Sequence, residues 1–332
     1  MCTRKYTAFN YLFKSFLFMV IVLTRRCNSN CGYCGVYKKD SGRFFVPWLQ
    51  IDDLLDKIVL LSESYWDNEM RFFWWEPYLE RDLLESIITR SISRGFPFRH
   101  VINSNWKLLD DEALYFAEKN KVKLILSCNW ELSSHILTRW WREEDILKLY
   151  GTISKICSKD IDYQINFTIL PATVENMIEN VRFLYGLWVR NLNILVWLYI
   201  WWTEEGIGVL KEKLDELSRL IKTEFSGLAF ANHFFSSQIP LFNSEVTIDS
   251  DGIAYPNMVI LENFFNGYKH KIKLADLKKD KIEFKKDIDN ADDENFRICE
   301  SYIKKIIEDK LGEIAKRDYS ANEALTGFFK SI

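Results

Sequence analysis

An α/β protein is expected, a barrel or open parallel sheet of βα units with a smaller α+β domain behind it. Three observations predict it. Short β-branched or apolar runs alternate with helical stretches about six times between residues 16 and 235. Each run is nearly continuous in apolar residues, as a parallel strand covered on both faces should be. From about residue 240 the pattern changes to a hairpin and then helix. The chain has 332 residues, enough for a large domain over 16–235 and a smaller one over 240–332.

The expected strands are "FMVIVLT" (18–24), "MRFFW" (70–74), "RHVINSN" (99–105), "VKLILSC" (122–128), "DYQINFTIL" (162–170) and "LNILVWLYI" (192–200). Between them, "IDDLLDKIVLLSESY" (51–65) and "VENMIENVRFLYGL" (174–187) carry apolar residues at helical spacing. "SEVTIDSDGIAYPNMVIL" (244–261) reads as a hairpin turning at Asp251–Gly252. A lysine-rich stretch (269–286) reads as a solvated face, and one helix is expected from about 297 to 317.

Bulk composition narrows the function classes. Hydrophobic content is 48%, charged content 27% and net charge −3, so neither a nucleic-acid nor an anionic-membrane binder is expected. The apolar run Phe16–Leu23 is too short for the ~20 residues of a membrane span. Arginines and cysteines follow it rather than a small-residue cleavage site, so it reads as a buried strand. Seven cysteines, of which only three cluster, do not make a disulfide framework. A reducing, cytoplasmic setting fits them.

The cluster is "CNSNCGYC", with Cys27, Cys31 and Cys34 directly after the first expected strand. Three thiolates on one short loop suit an iron–sulfur cubane with one iron left open. A structural zinc site wants four ligands, and no second Cys-x-x-Cys or His pair is offered. In parallel α/β folds chemistry gathers at the C-terminal ends of strands. "WWEP" ends the second strand, Asn105 the third and Ser127 the fourth, which puts them on the same rim as the cysteines.

Cys-x3-Cys-x2-Cys after a first strand, with the aromatic Tyr33 before the last cysteine, resembles the signature of radical SAM enzymes over roughly residues 16–235. The resemblance implies a partial (β/α)6 barrel and one [4Fe–4S] cluster on Cys27, Cys31 and Cys34. It also implies S-adenosylmethionine on the open iron, cleaved reductively to a 5′-deoxyadenosyl radical that abstracts hydrogen from a substrate. Trp74, Trp75, Glu76 and Pro77 stand where such enzymes carry "GGEP", whose backbone meets the SAM amino group. Ser104, Asn105 and Trp106 stand where many carry "TNG". Ser127, Cys128, Asn129 and Trp130 replace "SLDG". Tyr33, Asn105, Ser127 and Arg139 are thereby implied around the cofactor, Arg139 as a bidentate partner for a carboxylate. Electrons would come from a flavodoxin or ferredoxin.

Tryptophan is the worst fit where a cofactor must approach backbone, a place that calls for glycine. Trp74, Trp75, Trp106 and Trp130 all occupy such positions, and Trp188 stands at a helix C-terminus where glycine normally stops the helix. Only 13 glycines stand against the roughly 23 expected from average usage, and the 12 tryptophans close the gap. Two readings follow. Either the pocket is filled with rings and the protein is a non-catalytic iron–sulfur-binding relative, or UGA codons read as glycine in the cell have been written as tryptophan.

The C-terminal part resembles the start of SPASM-type extensions, in which a cysteine commonly follows "YP". Asn257 stands there instead, and Cys299 is the only cysteine beyond 157, so no auxiliary cluster is expected. The substrate is left open, with peptides and proteins among the candidates. Cys128, Tyr33 and Tyr199 are candidates for substrate chemistry by position alone. "FFSSQIPLF" (234–242) reads as a connecting loop.

Overall fold

The computed structural model describes residues 18–29, 31, 34, 51–65, 68–128, 142–231, 245–262, 265, 267–269, 272–279 and 293–332. Ten described strands form one sheet in the order β10-β9-β8-β1-β2-β3-β4-β5-β6-β7. These are β1 (Phe18–Ile21), β2 (Glu69–Phe72), β3 (Arg99–Ser104), β4 (Lys123–Ser127), β5 (Tyr163–Ile169), β6 (Asn191–Val196), β7 (Ala229–Phe230), β8 (Glu245–Ile248), β9 (Ile253–Tyr255) and β10 (Ala275–Asp276). From β1 to β7 each strand pairs in parallel with the next in sequence. Right-handed crossovers between strands laid down in order put the helices on one face. The result is an open, partial barrel rather than a doubly wound sheet.

The helices follow from apolar spacing and caps. In α1 (Ile51–Tyr65), Leu54, Leu55, Ile58 and Leu61 form one buried stripe. In α3 (Asp111–Lys119), after α2 (Arg81–Ser93), the cap Asp110 accepts from Ala113 N at 2.8 Å. α4 (Glu143–Cys157) buries Ile146, Leu149, Ile153 and Ile156. The expected helix at 174–187 opens as a 3-10 turn, Val174–Asn176, and continues as α5 (Met177–Gly186). In α6 (Glu204–Thr223) the Thr203 hydroxyl accepts from Gly206 N at 2.9 Å, and Ile207, Leu210, Leu214 and Leu217 face inward.

Two expectations about extent are corrected. The sixth strand ends at Val196, because Tyr199 takes a left-handed backbone (φ 64°) and its N–H donates to Asp318 Oδ2 at 2.8 Å. The single helix at 297–317 is two, α7 (Asp293–Leu311) and α8 (Glu313–Ser331), broken at Gly312 with φ 50° and ψ −114°. β7 and β10, two residues each, leave no periodic signal in the sequence.

The expected hairpin is β8–β9, with Gly252 (φ 81°) donating to Asp249 O at 2.9 Å. Strand β8 also pairs in parallel with β1, so the hairpin extends the barrel sheet. A separate apolar cluster, including Ile253, Val259, Ile260, Ile303 and Ile307, sits between the hairpin region and α7. The Arg25 guanidinium and the buried Asp249 carboxylate join the end of β1 to the β8–β9 turn.

Asp318, on α8, is buried beside Tyr199 and Tyr319, and burial pushes its carboxyl from 3.8 up to about 7 against the favourable Tyr199 N–H. A carboxyl whose folded pKa is raised disfavours the fold once ionised. Stability should therefore fall as pH rises from about 4 to about 7 and then level off. Urea unfolding at pH 5 and pH 8 should differ by roughly 1–3 kcal/mol from this group. Asp318→Asn should remove that share. Glu262, also raised to about 7 by burial, contributes in the same sense.

Candidate active site

The first strand delivers the cysteine loop to the C-terminal rim, and the second and third strands build a wall beside it. Glu76, just past β2, is the keystone. It is fully buried and caps the short 3-10 turn Pro77–Glu80 by accepting from Tyr78 N at 3.1 Å. Its other oxygen accepts from Asn105 N at 2.7 Å, and the Ser104 hydroxyl donates to the first oxygen at 3.0 Å and to the second at 3.2 Å. Its own N–H donates to Arg26 O at 3.2 Å. Glu76 thus ties the ends of β2 and β3 together through its carboxylate, and through its N–H holds them to the residue before Cys27. Burial pushes its pKa to about 7, opposed by the N–H groups of Asn105 and Tyr78.

Asn105 turns that wall toward the thiols. Its side-chain amide donates to Asn28 Oδ1 at 2.6 Å and approaches Cys27 Sγ at 3.6 Å. Ser29 N–H also points at Cys27 Sγ, at 3.4 Å. Cys31 and Cys34 follow on the same loop, with Cys34 N donating to Cys31 O at 3.2 Å. All three thiols are half-buried. Burial raises the pKa of Cys27, and the Ser29 and Asn105 donors oppose this.

Among the described residues no group of three or more His, Cys, Asp or Glu side chains is drawn together as a metal site. Gly32 and Tyr33, which complete the loop, lie outside the described residues. The donor set still fits an iron–sulfur cluster. Three thiols share one loop, and N–H groups aimed at a sulfur are the contacts that tune such clusters.

The other expected residues divide as follows. Ser127 ends β4, opposite Asn166 of β5, on the rim but without a described contact to the cysteine loop. Arg139, Asn129, Trp130 and residues 234–242 lie outside the described residues. Cys128 is fully buried in the main apolar core. Trp74 and Trp75 pack with Val20, Val22 and Leu261, on the sheet face that the rim residues share. Their indole N–H groups are buried with no hydrogen-bond partner among the described residues. Rings placed there do not fit a cofactor lying along the backbone at 74–75, although both residues take the positive φ that glycine adopts freely.

A polar stripe that the sequence does not announce crosses β5 and β6. Gln164 and Asn166 on β5 and Asn193 on β6 share one face, and Asn166 Oδ1 accepts from Gln164 at 3.2 Å and from Asn193 at 2.8 Å. Ile165, Phe167 and Ile169 face the other way into the core. The alternation Gln-Ile-Asn-Phe-Thr-Ile was the signal, hidden because the strand as a whole is apolar. By strand register this face also carries Val20, Asn103 and Ser127.

No described helix is long and apolar enough to cross a membrane. Comparison with solved structures finds the same fold. The chain is similar to native anSMEcpe with bound AdoMet at TM-score 0.63 and 13% identity, over 79% of this chain and 78% of that one. A histidine-tagged form of anSMEcpe with bound AdoMet aligns over 95% of this chain and 96% of that one, at TM-score 0.62 and 14% identity. Streptococcus suis SuiB bound to precursor peptide SuiA aligns over 75% of this chain and 61% of that one, at TM-score 0.58 and 14% identity. No curated protein sequence matches the chain. The family model for the radical SAM superfamily matches residues 21–184, which carry the thiol loop, the Glu76 keystone and Asn105. Residues 21–184, about half of the chain, thus form a radical SAM superfamily domain.

Proposed function

We propose that the protein is an enzyme that holds one [4Fe–4S] cluster on Cys27, Cys31 and Cys34 and uses it to cleave S-adenosylmethionine reductively, for hydrogen abstraction from a substrate. The observation that carries the reading is the Asn105 amide bridging the end of β3 to Asn28 and Cys27 Sγ. It fastens the thiol loop to the rim, with two N–H donors directed at one sulfur. When bound, the cluster supplies a low-potential electron at its open iron.

The chain's own residues have positioning roles. Glu76 fixes the spacing of the β2 and β3 ends, and Ser104 and the Asn105 backbone are its partners. Ser127, and Tyr33 and Arg139 beyond the described residues, are proposed cofactor contacts. Residues 240–332 are proposed as a SPASM-like module without an auxiliary cluster. A peptide or protein substrate is the class we favour, because SuiB, of similar fold, is bound to a precursor peptide. A flavodoxin or ferredoxin is the proposed donor.

The rings at Trp74 and Trp75 favour a second reading, a cluster-binding protein without SAM chemistry. Electron paramagnetic resonance of the reduced, reconstituted protein separates the two. Adding S-adenosylmethionine should change the cluster signal if it ligates the open iron. An unchanged spectrum, from the chain as written and from a chain with glycine at 74, 75 and 106, supports the second reading.

A further inference from the structure

We infer that residues 74, 75, 106 and 188 are glycine in the protein as its cell makes it, and that Trp202 is a genuine tryptophan. The inference stands on backbone geometry and does not depend on the radical reading.

Among the described residues, six that are not glycine have a left-handed backbone: Trp74 (φ 71°), Trp75 (φ 52°), Trp106 (φ 67°), Lys121, Trp188 (φ 67°) and Tyr199. Four of the six are tryptophans, a residue type that makes up only 12 of 332. A bulky side chain at such angles is an outlier, because its Cβ crowds the backbone carbonyl. Glycine alone adopts them freely. Among the described residues, Gly95, Gly227, Gly252, Gly267 and Gly312 lie in the same region. These tryptophans have the backbone behaviour of the chain's glycines.

Position 188 provides an internal control. Helix α2 ends with Gly95 (φ 70°), whose N–H donates to Ile92 O at 2.9 Å while Phe96 N donates to Ser91 O at 3.2 Å. Helix α5 ends with the same two bonds, Trp188 N to Tyr185 O at 3.1 Å and Val189 N to Leu184 O at 3.2 Å. This is the αL helix stop, whose central residue is usually glycine. The Trp188 side chain is 72% exposed, so burial does not explain its presence. Lys121 occupies a third such stop and shows that a side chain can be borne there. Glycine is assigned from the four positions together, three of them on the candidate site's rim.

Trp202 differs in its backbone and its indole. It is fully buried in the main core, as Trp106 is, but it has no left-handed φ, and its indole N–H donates to Trp197 O at 3.0 Å. The mechanism we propose is a UGA codon that the cell reads as glycine, with Trp202 encoded by UGG.

Two measurements test this. Peptide masses of the protein isolated from its own cells, read beside the gene, should give glycine at 74, 75, 106 and 188 from UGA and tryptophan at 202 from UGG. Tryptophan in the peptides at the four positions overturns the inference, and glycine at 202 overturns its second part. In the chain as written, Trp188→Gly should raise the melting temperature by on the order of 2 °C, while Trp188→Ala, which keeps the strain, should not. Equal effects of the two substitutions would remove the geometric argument. Trp202→Gly should lower the melting temperature sharply, and no loss there would count against its assignment.

Discussion

Cys31→Ala should abolish stable cluster assembly, with iron and sulfide falling from about four of each per chain to near background after anaerobic reconstitution. A cubane held by three protein thiolates has no ligand to spare, and Cys31 is central in the loop that also carries Cys27 and Cys34. Cys128 is buried in the core and would have to leave it to replace Cys31. Cys157→Ala, at the end of α4, should leave the iron content unchanged. Equal iron in the Cys31 variant and the parent would show that the loop is not the cluster site.

The second large effect concerns the keystone carboxylate. Glu76→Ala should destabilise the fold by ~3–5 kcal/mol, because it strips acceptors from the Tyr78 and Asn105 N–H groups and from the Ser104 hydroxyl, all in a buried setting. Glu76→Gln should cost less, about 1–3 kcal/mol, since one amide oxygen still accepts a backbone N–H while the NH2 group faces the other. Urea unfolding of the three proteins checks the order. If Ala and Gln cost the same, the two-oxygen bridge between the strand ends is not what Glu76 provides.

Much of this arrangement was legible in the sequence. The six barrel strands, α1 and the β8–β9 turn fall where apolar runs and Asp251–Gly252 put them, because parallel strands and amphipathic helices leave periodic patterns. The proposed cluster loop stood out because three cysteines at tight spacing follow the first strand. What stayed hidden depends on tertiary contact. Nothing local announces that Glu76 would bind the β3 end or that Asp318 would bond the Tyr199 N–H and cut β6 short. The Gln164–Asn166–Asn193 stripe was masked by the apolar residues interleaved with it. The break at Gly312 passed unseen because a lone glycine within a helical pattern is often tolerated.

The left-handed tryptophans join the two levels. From sequence they stood out by position, and from structure by φ. At 74 and 75 both point to a rim that a cofactor could approach only without the rings.

Reductive cleavage is tested most directly by product analysis of the reconstituted protein, with glycine at 74, 75, 106 and 188, reduced with dithionite in the presence of S-adenosylmethionine. 5′-Deoxyadenosine and methionine are expected in equal amounts, formed by this chain and not by its Cys31→Ala counterpart. A chain that carries a full cluster yet forms no 5′-deoxyadenosine above that control would contradict the proposed cleavage.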